Sequence, residues 1–114
     1  MSLAEKKCVP CRGGVPPLSL AEATRFLAQT PGWTLDEPAR QITRTFKFKD
    51  FASALAFVNR VGELAEAEDH HPDFTFGWGY CRVVLQTHKI KGLHENDFIM
   101  AAKVNELARS SGAS

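Results

Sequence analysis

No stretch of the 114 residues approaches the roughly 18 to 20 consecutive apolar residues that a membrane-spanning helix needs. Acidic Glu5 stands where a secretory leader would place basic residues before an apolar run, so the expectation is a cytoplasmic protein with no membrane partner. An excess of one charge is also missing. Lys and Arg number 14 against 13 Asp and Glu, interspersed along the chain, so charge announces no direct nucleic-acid partner. Cysteine is scarce and odd in number: Cys8, Cys11 and Cys81 do not make a disulfide scaffold. Cys8-x-x-Cys11 is half of a four-ligand zinc site, and no second pair of Cys or His follows it at knuckle spacing. A tail without structural metal is therefore expected ahead of a zinc or redox site. The length allows one core and no second domain.

What is present reads as an alternation of elements. Residues 1–17, small, polar and proline-containing up to Val15, Pro16 and Pro17, suit a flexible N-terminal lead-in, and the folded domain is expected over 18–110. Ser19 followed by Glu22 is a capping-box pattern, and a short helix over Leu20 to Gln29 stops at Thr30, Pro31 and Gly32. Trp33 to Asp36 and Gln41 to Phe48 read as the two strands of a hairpin whose turn, Glu37 to Arg40, contains Pro38. A long helix follows from about Asp50. Its predicted apolar face is Phe51, Leu55, Val58, Val61 and Ala65, and Pro72 stops it at about His70 or His71. From Phe74 the period is two, with a bend expected at Gly77 and Gly79; Arg82 to Thr87 is a further strand, and a last helix runs from about Glu95 to Arg109. The order predicts an α+β fold, a four-stranded antiparallel sheet with three helices packed on one face.

All four histidines fall between positions 70 and 94. Glu66, three residues on His70-His71-Pro72, then Trp78, His88 and Asp97 form the cluster where chemistry is sought. On an unbroken helix Glu66 lies one turn before His70, where a carboxylate orients an imidazole. His88 at the end of the last strand is expected to converge on the same cleft. Three readings compete. Three imidazoles and a carboxylate are adequate metal ligands, but neighbouring side chains on a helix diverge by about 100°, which disfavours His70 and His71 on one ion. His-His-Pro is also a plain helix terminus with favourable dipole contacts. The third reading is acid–base work, for which histidine titrates in the right range.

Glu66, His70, His71, Pro72, Trp78, His88 and Asp97 fill, without an insertion, a signature that resembles the pterin-4a-carbinolamine dehydratase family. That family is also known as the dimerisation cofactor of a homeodomain transcription factor, and the likeness runs from about Leu18 to Ala108. The resemblance implies loss of the 4a-hydroxyl of a 4a-hydroxytetrahydropterin as water, giving a quinonoid dihydropterin in tetrahydrobiopterin recycling. It implies His70, His88 and Glu66 as the catalytic group, and His71, Trp78 and Asp97 as substrate-binding. Neither cofactor nor metal is implied, the pterin being the substrate. A homodimer or homotetramer is implied as well, and the alternatives are a dimerisation or coactivator factor and a pterin-binding protein of molybdopterin-related metabolism.

Read on physical grounds alone, Trp78 favours a packing or pocket-wall role and Asp97 a favourable charge in the first turn of the last helix, with orientation of His88 as its alternative. His94 stands where family members often carry a capping Ser or Thr, so a weaker cap is expected there. Phe51, Leu55, Val58, Phe98, Ala102 and Leu107 read as core, and Lys47, Lys49, Lys89 and Lys91 as solvated lysines.

Overall fold

The structure, a computed structural model, describes residues 2–10, 13–36 and 39–113. Cys11, Arg12, Glu37 and Pro38 lie outside the described residues, and with them part of the Cys8-x-x-Cys11 motif and of the first hairpin turn.

Helix α1 (Leu20–Leu27) starts where its capping box predicts: Ser19 Oγ accepts from Glu22 N at 3.2 Å and Glu22 Oε1 accepts from Ser19 N at 2.9 Å. Strands β1 (Thr34–Leu35) and β2 (Ile42–Lys47) pair antiparallel. Helix α2 (Phe51–Glu68) is capped by Asp50, which accepts from Ser53 N at 2.8 Å. Strands β3 (Asp73–Gly77) and β4 (Tyr80–Leu85) form a hairpin whose turn holds Trp78 and Gly79; Gly79 has φ +80°, which a side chain would resist. Helix α3 (Glu95–Ser110) closes the domain. The sheet order is β1-β2-β4-β3, all antiparallel, and the α+β architecture with three helices on one face is as expected.

The core is made where inward residues of β2 and β4 meet α2 and α3: Phe46, Phe57, Phe98, Leu85, Val83 and Met100 have no solvent exposure. Each such side chain contributes about 1.5–3 kcal/mol relative to an exposed position. The face of α2 differs from the expected one. Ala54, Phe57, Val61 and Ala65 are buried, whereas Phe51 and Leu55 are 44% and 39% exposed. Two stripes at three- and four-residue steps overlap in this helix, and the sheet takes the one carrying two alanines because a short side chain lets the backbone approach.

Helix α2 ends earlier than Pro72 alone requires. Asp69 adopts the left-handed conformation (φ 51°, ψ 43°) and caps the helix, so His70 and His71 lie beyond it. The cap of α3 is also stronger than expected. His94 Nδ1 accepts from Asn96 N at 3.0 Å, and Asp97 Oδ2 accepts from His94 N at 3.0 Å, so an imidazole does what a hydroxyl does elsewhere.

Residues 2–10, read as part of a flexible lead-in, lie against the domain. A short helical turn at Leu3–Glu5 contacts α3, Leu3 is buried, and Lys103 Nζ donates to Ala4 O at 2.9 Å.

Candidate active site

The left-handed Asp69 turns the chain inward, and His70 becomes 9% exposed. A half-polar ring in that position needs a partner. It finds one 27 positions away: His70 Nε2 is 2.6 Å from Asp97 Oδ1, and Asp97 is fully buried. The second carboxylate oxygen accepts from Thr87 Oγ1 at 2.8 Å and from His94 N at 3.0 Å. One carboxylate therefore ties together the end of α2, the segment after β4 and the start of α3.

Glu66 does not meet His70. It pairs through Oε2 with His71 Nε2, both groups being exposed. The physical reason is the helix stop: with α2 finished at Glu68, His70 no longer sits one turn below Glu66, and His71 comes back to it instead. His88 opens the short helical turn His88–Ile90 and is 68% exposed, with Nε2 3.9 Å from Asp73 Oδ2.

His70, His71 and His88 line one cavity of about 540 Å³, together with Thr87, Glu68 and Asn96. That volume lies in the range of about 300–1,000 Å³ usual for small-molecule sites. The three histidines are thus brought to one cavity, where the end of α2 and the segment after β4 meet. Asp97 stands behind His70 and does not line the cavity; its contacts are with His70, Thr87 and the His94 backbone. Glu66 reaches the site through His71. Trp78 is at the tip of the β3–β4 turn, 72% exposed, and does not line this cavity. Among the described residues no three His, Cys, Asp or Glu side chains come together as a metal-binding group.

Sequence reasoning missed four contributors. Thr87 fixes Asp97, Asn96 and Glu68 hold the N-terminal segment, and residues Lys7–Pro10 form part of the cavity wall. Thr87 carried a faint signal as a polar residue before His88 at a strand end; the others carried none. Burial first, then the Glu68 carboxylate, push the Cys8 thiol up to about 12, so it stays protonated and lies 3.7 Å from Asn96 O.

Chemically the cavity offers two kinds of imidazole. His70 is shielded, and with Nε2 engaged by a carboxylate its Nδ1 is the nitrogen left for a ligand. His71 and His88 are exposed to solvent.

The family model for pterin 4 alpha carbinolamine dehydratase matches residues 16–107. A protein of Methylococcus capsulatus is 61% identical over 107 residues, covering 94% of this chain and 94% of its own. One of Halorhodospira halophila is 62% identical over 107 residues, covering 94% of this chain and 98% of its own. Both are named, provisionally, pterin-4-alpha-carbinolamine dehydratase. A solved structure from Brucella melitensis, named a transcriptional coactivator/pterin dehydratase, is similar with a TM-score of 0.76 and 37% identity over 81% of this chain and 98% of that one.

Proposed function

The chain belongs to the pterin 4 alpha carbinolamine dehydratase family, and on that footing we propose that it is a hydro-lyase acting on 4a-hydroxytetrahydrobiopterin in tetrahydrobiopterin recycling in the cytoplasm. The observation that carries the reading is one cavity walled by His70, His71 and His88. In the reaction the C4a–O bond breaks, the hydroxyl takes a proton and leaves as water, and N5 gives up its proton to complete the quinonoid ring. The electrons of the N5–H bond form the new double bond, so the step is redox-neutral.

The two proton transfers need two groups of different character. Asp97, a positioning residue, accepts from His70 Nε2–H and leaves the Nδ1 lone pair for the N5 proton, which favours His70 as the base. His88, exposed to solvent on the cavity wall, suits protonation of the leaving hydroxyl. His71, steadied by Glu66, binds the pterin. The test is stopped-flow absorbance of 4a-hydroxytetrahydropterin decay. Acceleration by the wild-type protein that His88→Ala largely loses supports the reading, and no acceleration by wild type overturns it.

A second reading, an interaction factor or homo-oligomer, is favoured by one surface. Trp78 is exposed at the hairpin tip, and half-exposed Phe51 lies 5.9 Å between ring centroids from Phe76 of β3, an edge strand with an unpaired side. Light scattering of wild type and Trp78→Ser distinguishes the cases, since a dimer or tetramer built on this face loses mass in the variant.

A further inference from the structure

The histidine cavity has a side built by neither the sheet nor the helices. Lys7, Cys8, Val9 and Pro10 line it together with residues at the end of α2 and in the turn after β4. These residues are held by their backbone. Val9 N donates to Asn96 Oδ1 at 3.0 Å and Asn96 Nδ2 donates back to Val9 O at 2.6 Å, so one side-chain amide pairs with both polar groups of one residue as a neighbouring strand would. Cys8 N donates to Glu68 Oε1 at 2.8 Å, and Lys6 Nζ pairs with Glu95 Oε2 at 2.7 Å.

The clamps are buried and the clamped residue is not. Asn96 is 1% exposed and the Glu68 side chain 8%, whereas Val9 is 57% exposed. Hydrophobic burial therefore does not explain why Val9 is fixed where it is. What the clamps achieve is to hold an apolar side chain at the rim of the cavity, an arrangement suited to one edge or face of a flat heterocycle. The anchors also sit beside the buried pair: Asn96 precedes Asp97, and Glu68 is two residues before His70.

We infer that segment Lys7–Pro10 is a substrate-binding wall of the site, clamped by Asn96 and Glu68, which sets the affinity for the pterin and takes no part in proton transfer. The inference rests on the pterin reading above. Two full-length variants test it. Asn96→Ala removes both amide bonds to Val9, and Val9→Pro removes the N–H while leaving Asn96 in place. The measurements are kcat and KM for dehydration, and the dissociation constant of 7,8-dihydropterin by fluorescence. Loss of the clamp raises KM and the dissociation constant about tenfold, the equivalent of about 1.4 kcal/mol, and leaves kcat within about twofold. Amide exchange at Cys8 and Val9 slows on adding dihydropterin in the wild type, a response that a purely structural tail does not give. Unchanged KM in both variants, or a fall in kcat at constant KM, overturns the inference. Wild type that neither dehydrates nor binds dihydropterin removes the pterin reading and this inference together, whereas wild type that does both, beside unaltered variants, removes this inference alone.

Discussion

His70 and Asp97, 27 positions apart, form a buried pair in which the imidazole Nε2 lies 2.6 Å from the carboxylate Oδ1, and the other carboxylate oxygen is already filled by Thr87 and the His94 backbone. Both oxygens of Asp97 are thus engaged. Replacement by Asn presents an amide N–H to a site crowded with donors. Asp97→Asn is expected to lower kcat by more than about tenfold and to lower stability by about 1–3 kcal/mol for a buried donor left unmatched. Single-turnover kinetics with a urea melt separates the two effects, and unchanged kcat would exclude the positioning role.

The three histidines are expected to respond differently. His70→Ala and His88→Ala slow dehydration by about 10²–10⁴-fold, and only His70→Ala, which orphans buried Asp97, also destabilises the fold. His71→Ala raises KM with kcat nearly kept. Equal activity in all three variants refutes the assignment.

Because Glu66 meets His71 and not His70, Glu66→Gln is expected to raise KM a few-fold rather than reduce kcat. A kcat loss as large as that of His70→Ala would mean that Glu66 reaches the buried pair after all.

The two stripes of α2 give a stability contrast. Phe57→Ala is expected to cost about 3–5 kcal/mol, as for a fully buried aromatic, and Leu55→Ala within about 0.5 kcal/mol in the single chain. Chemical denaturation of both variants checks this; comparable losses would place Leu55 in a buried contact, such as an interface between copies.

Cys8, with its thiol pushed up to about 12, holds almost no thiolate near neutrality. In a Cys11→Ser background its alkylation at pH 8 is expected to be slower than that of free cysteine, with the rate still rising between pH 9 and 11. Labelling as fast as free cysteine would mean that the thiol is not shielded by Glu68 and the segment around it.

Much of the fold is legible in the sequence because its signals are local. Ser19 with Glu22, Asp50 before α2, and the start of α3 at Glu95 each act over three or four residues, within reach of a spacing argument. The convergence of His70, His71 and His88 was also expected, from the habit of helix and strand ends to meet over a sheet. Their partners were not legible. The pairing of His70 with Asp97, and of Val9 with Asn96, joins residues 27 and 87 positions apart, and no periodicity encodes such contacts. Glu66 was matched to the wrong histidine because one left-handed residue, Asp69, broke a helix that proline alone would have allowed to continue.

That break makes the C-terminal turn of α2 a ruler. Each helical residue turns the next by about 100°, so one residue added or removed between Glu66 and Asp69 would rotate the exit and swing His70 out of reach of Asp97. The segment between the last buried apolar residue of α2, Ala65, and His70 is thus fixed in length, not only in composition. An insertion here is expected to abolish activity while the sheet and its core remain folded.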